Sequence, residues 1–219
     1  MVRRGSKSRL TPKQAENFTG DTLFDRIARA VCRAGTLPAK ELFEAWETAR
    51  RVRRRYRGGR VLDLACGHGL LAHVMLLLDD TSPCAVAVDT AIPKNASILS
   101  QILIDTWPRL AERIEYRQAP LESIHVRQDD RVVSVHACGT LTDQIIHMAM
   151  AAGAAVAVLP CCHDLGRSDT GGLTGWMDGP LAVDAVRALK MRAGGYSVTT
   201  ARIPADITPK NRLLMGHQE

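Results

Sequence analysis

The chain has 219 residues, of which 46% are hydrophobic and 24% charged, and its formal net charge is +6. This length suffices for one domain with a sizeable core, and no apolar run reaches membrane-spanning length, so we predict no membrane contact. The six cysteines lack the spaced pairing of a disulfide scaffold. We therefore expect reduced thiols, which indicate a cytoplasmic protein.

Positive charge is concentrated at the beginning of the chain. Residues 1–60 contain 16 Lys and Arg but only 6 Asp and Glu, whereas the rest of the chain contains 13 and 17. We predict a flexible basic tail over residues 1–18 and a helical extension over residues 19–57. The main domain is expected over residues 58–219.

The helix predicted over residues 38–56 ends in an arginine-rich run. Apolar residues at helical spacing predict that one face packs on the core while the arginines face solvent. Because an arginine fork matches phosphate oxygens, this run is a candidate RNA-binding surface. Arginine is common through the whole chain, so a merely solvated helix is the alternative. The candidate residues are Arg50, Arg51, Arg53, Arg54, Arg55 and Arg57.

A glycine-containing turn follows the basic run. Residues 61–71, V-L-D-L-A-C-G-H-G-L-L, are typical of a buried strand, a tight turn and the beginning of a helix. A second strand over residues 85–89 ends in Asp89. Glycines allow the backbone to approach a ligand, and an acid at the end of the next strand can accept hydrogen bonds from a ribose diol. The pattern therefore predicts a nucleoside pocket.

Strands and helices alternate through the remainder of the chain. This alternation predicts an α/β fold with a Rossmann-like, doubly wound parallel sheet, and the last two strands supply an antiparallel partner. Helices are predicted near 21–34, 70–78, 95–107, 141–152 and 180–193, and later strands near 114–118, 131–136, 154–159, 196–203 and 212–216.

The turn D-L-A-C-G-H-G and the acid after it resemble motif I of class I S-adenosylmethionine (SAM) methyltransferases. The resemblance implies SAM as the cofactor, S-adenosylhomocysteine as its product, and a seven-stranded sheet whose last strand is antiparallel. The alternatives are a sugar-nucleotide or NAD-binding unit, although the third glycine of the dinucleotide fingerprint is missing, and glycines that serve only the packing of strand and helix. The expected cofactor-binding residues are Asp63, Cys66, Gly67, His68, Gly69, Asp89, Thr90, Gln118, Ala119 and His136.

Polar and sulfur-containing residues follow the predicted fourth and fifth strands, where ligands bind in open α/β sheets. A histidine there could take the proton of a hydroxyl acceptor, and an aspartate could orient it or hold the substrate. The cysteines could shape the pocket, supply a thiolate, or be small buried thiols, and the histidine could simply bond the backbone. The candidate catalytic residues are His136, Cys138, Asp143, Cys161, Cys162 and His163.

Two motifs in this region carry a narrower resemblance. H-A-C-G-T-L-T-D at 136–143 and L-P-C-C-H-D at 159–164 are similar to paired motifs of a methyltransferase-domain family. That family includes the eukaryotic tRNA ribose 2′-O-methyltransferase of the acceptor stem, and the segment 207–212 is also similar. The resemblance spans roughly 38–216 and implies an RNA substrate, tRNA-like, methylated on oxygen. A methyltransferase for a small metabolite or protein side chain, and a non-catalytic SAM-binding RNA partner, are the alternatives.

The same residues include ligand types suited to zinc, namely three cysteines and His163. Adjacent cysteines rarely bind one ion together, however, and no C-x-x-C spacing occurs in the chain. The sequence therefore predicts no metal.

Overall fold

Seven strands form one mixed sheet in the computed structural model, which describes residues 2–219. They are β1 (Val61–Leu64), β2 (Ala85–Asp89), β3 (Ile114–Gln118), β4 (Arg131–Ser134), β5 (Ala155–Val158), β6 (Tyr196–Arg202) and β7 (Arg212–Gln218). Their order is β3-β2-β1-β4-β5-β7-β6, and β7 runs antiparallel to both of its neighbours. The predicted Rossmann-like α/β fold with an antiparallel last strand is confirmed.

Six α-helices cover the two faces of this sheet. They are α1 (Leu23–Ala34), α2 (Ala39–Arg53), α3 (Leu70–Leu78), α4 (Ala96–Thr106), α5 (Thr140–Ala151) and α6 (Gly179–Ala193). Side chains alternate along each strand, so Ala85 and Ala87 of β2 join the core under α1–α4, while Val86 and Val88 join the core under α5 and α6. Within residues 2–219 no helix combines the length and hydrophobicity needed to cross a membrane.

Two strands change at their ends: β1 is followed at once by a turn, and β4 is two residues shorter than the sequence pattern predicts. Strand β1 stops at Leu64 because Ala65 adopts a left-handed backbone conformation, with φ of 58°. Strand β4 stops at Ser134, so His136 lies in the following loop. Both changes occur at the edge where the parallel strands end, called the carboxyl edge below.

The segment before α1 is packed and is not the predicted flexible tail. A short 3-10 helix spans Pro12–Asn17, and the side chains of Leu10 and Phe18 are buried. The backbone N–H of Leu10 donates to the carbonyl of Leu37 at 2.8 Å. The apolar side chains anchor this segment, since basic composition alone does not prevent packing when such anchors are present.

The end of α2 also differs from the prediction, because Arg53 does not face solvent. Its side chain is buried, and its guanidinium lies 3.1 Å from the carboxylate of Asp79 and donates to Ser82 Oγ at 2.8 Å. Arg53 follows Val52 on the buried face of α2, where it ties the helix to the loop after α3. The prediction that Arg53 contacts RNA is therefore wrong.

Candidate active site

The turn after β1 leaves one glycine open and encloses another. Gly67 has φ of 52°, and a Cβ built on it would meet no atom within 4 Å. Gly69 has φ of 72°, and a Cβ there would lie 2.7 Å from the Tyr116 hydroxyl oxygen. Packing therefore excludes a side chain at Gly69, while the open side of Gly67 leaves the backbone accessible to a ligand.

Two carboxylates flank this turn. Asp63 is buried; its Oδ2 accepts the Ala72 N–H at 3.1 Å, and its Oδ1 has no partner. Burial raises the pKa of Asp63 to about 7. Asp89 accepts the Gly67 N–H at 2.9 Å through Oδ2 and the Ala91 N–H at 3.2 Å through Oδ1. An unpaired buried acceptor is costly, so Asp63 Oδ1 suits a ligand that brings a hydrogen-bond donor.

Buried polar groups fix the turn from beneath, and sequence reasoning missed them. His73 Nδ1 lies 2.8 Å from the carbonyl oxygen of Gly69, and the Tyr116 hydroxyl donates to the carbonyl of His68 at 2.8 Å. His73 lies on α3 and Tyr116 on β3, and neither position gives a local sequence signal of this role. Their hydrogen bonds tie the turn to both elements.

The other expected cofactor residues lie around the same turn. Cys66 is buried within it, and His68 Nε2 lies 3.0 Å from Asn95 Oδ1. Gln118 pairs with Asp89 across β3 and β2, and Ala119 N–H donates to the Asp89 carbonyl at 3.0 Å. Thr90 is exposed beside Asp89. The structure thus brings the ends of β1, β2 and β3 together, and a binding role for each residue stays a prediction.

His136 lies in the loop after β4 and is half-buried. Burial, followed by the positive charge of Lys40, lowers the pKa of His136 to about 4, and the charge of Asp89 acts in the opposite direction. The imidazole is therefore neutral at pH 7 and can accept a proton. Lys40, at the beginning of α2, was absent from the expected site because only tertiary packing brings it here.

The three candidate cysteines meet at the carboxyl edge. Cys138 and Cys162 pair as an isolated parallel bridge, and the sulfur atoms of Cys138 and Cys161 are 3.0 Å apart. Burial raises the pKa of the Cys161 thiol. Lys210, from the loop between β6 and β7, places its Nζ 3.6 Å from the sulfur of Cys162. The segment 207–212 thus contributes to this region.

His163 and Asp143 are tied into a network of ion pairs. His163 Nε2 lies 2.8 Å from Asp184 Oδ1, and Asp184 also accepts from Arg212 at 2.6 Å and from Arg187 at 3.3 Å. Arg187 donates twice to Asp143, at 2.8 Å each. Asp143 therefore acts on His163 only through Arg187 and Asp184, two α6 residues that sequence reasoning missed.

The arginine run, residues 50–57, ends at the edge of the sheet opposite to the candidate catalytic residues. Arg51 pairs with Glu47, and Arg50 lies 3.9 Å from the same carboxylate. Arg54, Arg55 and Arg57 are exposed. The carbonyl of Arg57 accepts from the guanidinium of Arg131, the first residue of β4, so this end of the run lies at the opposite edge of the sheet.

Comparison with known proteins identifies the family. A family model described as a methyltransferase domain matches residues 40–167 of the chain. A comparison with curated proteins finds no match. The matched segment contains the glycine turn, Asp89, His136 and the cysteines at the ends of β4 and β5.

Solved structures show the same fold at low sequence identity. The cofactor-bound protein Rv0187 from MTB is 18% identical, with a TM-score of 0.58, over 94% of this chain and 97% of that one. An O-methyltransferase family protein from Burkholderia thailandensis is 18% identical, with a TM-score of 0.54, over 94% of this chain. A tRNA methyltransferase from B. subtilis is 14% identical, with a TM-score of 0.52, over 78% of this chain. The chain spans 63% of the Burkholderia protein and 65% of the B. subtilis protein.

The residues around the glycine turn fit SAM. Asp63 Oδ1 is an unpaired buried acceptor for the ammonium of its methionine part, and Asp89 stands where a ribose diol is bound in related sheets. The open side of Gly67 leaves space for the ligand beside the backbone. SAM is thus the cofactor implied by this fold, and the chain belongs to the methyltransferase-domain family.

Proposed function

We propose that this methyltransferase transfers the methyl group of SAM to an oxygen atom of RNA, with His136 as the general base. The observation that carries the proposal is the position of His136, which lies half-buried in the loop after β4 at the carboxyl edge. Burial and the charge of Lys40 lower its pKa, so its imidazole is neutral at pH 7. A hydroxyl acceptor must lose a proton when it gains a methyl group. A neutral imidazole beside the donor site supplies a place for that proton.

Residues at the ends of β1 and β2 would bind the methyl donor, and His136 after β4 would act on the methyl acceptor. Bound SAM supplies an electrophilic methyl group on a sulfonium sulfur. Asp63 and Asp89 would orient the donor through its ammonium and its ribose, beside the open side of Gly67. His136 would accept the proton that the acceptor hydroxyl loses on methylation, and S-adenosylhomocysteine would be the other product. Positioning two reactants in this way accounts for much of the rate gain of such reactions.

Basic groups at both edges of the sheet support a large anionic substrate. Lys210 lies at the carboxyl edge, whereas the ammonium of Lys40 is paired with Glu44 at 2.6 Å. Arg54, Arg55 and Arg57 are exposed at the opposite edge. A strand of four or five residues spans about 15 Å. A polynucleotide can contact both edges at once, whereas a small metabolite cannot. The tRNA methyltransferase among the similar structures is consistent with this choice.

The test is transfer of labelled methyl groups from SAM to total RNA, total protein and a small-molecule extract. We expect the label to appear in RNA and to be released by ribonuclease digestion. The RNA backbone next to the methylated ribose should resist alkaline cleavage. The triple variant Arg54→Ala, Arg55→Ala and Arg57→Ala should bind RNA more weakly and with a smaller salt dependence. A matched triple at exposed positions elsewhere, Lys13→Ala, Arg192→Ala and Arg202→Ala, should change RNA affinity less.

Label confined to protein or to the small-molecule extract would overturn the RNA assignment. The acceptor would then be a smaller molecule that binds at the end of β4 and does not contact the arginine run at the opposite edge. SAM binding without transfer to any fraction would instead favour a non-catalytic role.

A further inference from the structure

Cys138, Cys161 and Cys162 form a cluster of thiols, called the thiol cluster below. One sulfur atom from each residue lies within 4.8 Å of the other two. The sulfurs of Cys138 and Cys161 are 3.0 Å apart, so both are aimed at the same small volume. The converging residues include the adjacent pair Cys161 and Cys162.

The fold explains how adjacent cysteines can converge. Strand β5 ends at Val158, and the chain passes Pro160 before reaching Cys161 and Cys162. The alternation of an extended strand, which would send neighbouring side chains to opposite sides, no longer applies there. The N–H of Gly139 donates to the carbonyl of Cys162 at 3.1 Å and joins the two loops.

The loop that carries Cys138 is held in place by the ion-pair network. Arg187, whose side chain is almost fully buried, donates to the carbonyl of Gly139 at 3.0 Å and to both carboxylate oxygens of Asp143. These bonds fix the backbone immediately after Cys138. The thiol cluster is therefore preorganised, which lowers the cost of holding an ion.

The spacing of the sulfur atoms suits a tetrahedral metal ion. Zinc binds thiolates at about 2.3 Å, which places two sulfurs of a tetrahedral site roughly 3.8 Å apart. All three sulfur atoms lie within 4.8 Å of one another, and those of Cys138 and Cys161, 3.0 Å apart, need to separate by only about 0.8 Å to reach that value. Thiolate ligands select zinc and other soft ions over magnesium or calcium.

The surroundings offer a fourth position and charge compensation. A cavity of about 290 Å³ opens beside the cluster and is lined by Cys138, Cys162, Thr140, His163 and Arg167, among others. Three thiolates and one divalent cation leave one net negative charge. Lys210 Nζ, 3.6 Å from the sulfur of Cys162, opposes that charge.

We infer that the thiol cluster binds one zinc-class metal ion through its three sulfur atoms, with the fourth coordination position open to the adjoining cavity. Binding displaces a proton from each protonated thiol and needs no oxidant or reductant. The inference does not rest on the RNA substrate or on His136, and no methyl transfer is needed to test it.

The test uses the full chain, reduced and freed of metal, with its accessible thiols counted before titration. Cobalt(II) and zinc chloride are the probes. We expect about one Co²⁺ per chain, with the sulfur-to-metal absorption and visible bands of tetrahedral thiolate coordination, and displacement by Zn²⁺. Each of Cys138→Ser, Cys161→Ser and Cys162→Ser should weaken binding by more than about 100-fold, since loss of an outer-shell partner alone costs up to about that much.

Cys84→Ser is the matched control, because Cys84 is a half-buried free thiol outside the cluster. It should bind cobalt like the unaltered chain. Circular dichroism and S-adenosylhomocysteine affinity verify that every variant is folded. Absence of stoichiometric binding in the reduced chain, or binding that survives in the cluster variants, would overturn the inference.

Discussion

At the ends of β1 and β2 the candidate site is made from backbone groups and two carboxylates, whereas at the ends of β4 and β5 it is made from imidazole and thiol side chains. Most of the first half lies within residues 61–89 and is fixed by bonds such as Gly67 N–H to Asp89, with Tyr116 on β3 as a more distant contributor. The second half depends on residues distant in the chain, including Asp184 on α6 and Lys210 after β6.

Under the proposed function, this difference matches the separate tasks of binding the donor and the acceptor. The donor is one molecule of constant shape, so a short turn with fixed backbone geometry can hold it. The acceptor half needs titratable groups held at set positions, and long-range ion pairs hold them. Substitutions in the first half should therefore change donor affinity, and substitutions in the second should change turnover or stability. Three variants test this division.

His136→Ala should have the largest effect. We expect turnover to fall by about 1,000-fold, because general-base catalysis contributes roughly 100- to 10,000-fold, while S-adenosylhomocysteine affinity stays unchanged.

Since the pKa of His136 is lowered to about 4, turnover of the unaltered chain should stay level from about pH 8 to about pH 5 and fall below that as the imidazole gains a proton. Steady-state rates across pH measure both effects.

The matched control is His147→Ala, which removes an exposed histidine on α5. It should leave turnover unchanged. Equal turnover in the His136 variant and the unaltered chain would remove His136 from the mechanism. Half-maximal turnover near pH 6.5 would contradict the effect of burial on its pKa.

Asp184→Ala should lower the free energy of unfolding by about 3 kcal/mol. The change leaves buried Arg187 with one fewer partner and deprives His163 and Arg212 of theirs, and breaking a buried ion pair typically costs about 3–5 kcal/mol. Donor affinity in the folded protein should not change. Denaturant unfolding measures the loss, with exposed Asp129→Ala as the control. A loss under about 1 kcal/mol would show that the network does not support this half of the site.

Asp89→Ala should have the smallest free-energy effect, confined to the donor. Loss of hydrogen bonds to a charged acceptor costs about 2 kcal/mol, which corresponds to about 30-fold in affinity. Calorimetric titration with S-adenosylhomocysteine measures it, and exposed Asp105→Ala on α4 is the control. Unchanged affinity would mean that the ribose binds elsewhere, and the proposed division of the carboxyl edge would fail.

The sequence predicted the strand–turn–helix unit and the strand that ends in Asp89 because their signals are local. The glycine turn, the following acid and the alternation of strands and helices all depend on short-range spacing. The second half could be predicted only as candidate residue types at strand ends. Nothing local shows that Arg187 links Asp143 to Asp184, or that Lys210 reaches Cys162. Burial of Arg53 was missed for the same reason, since its partner Asp79 follows a different helix.

The position of β7 has a consequence for how the chain matures. This strand lies between β5 and β6, although it is the last of the seven in sequence. Until residues 212–218 are inserted, Val156 and Val158 of β5 lack their antiparallel partners and leave an apolar strand edge open to pairing with other chains. Substitutions that weaken the pairing of β6 and β7 should therefore reduce the yield of soluble protein during synthesis more than they change the activity of the molecules that do fold.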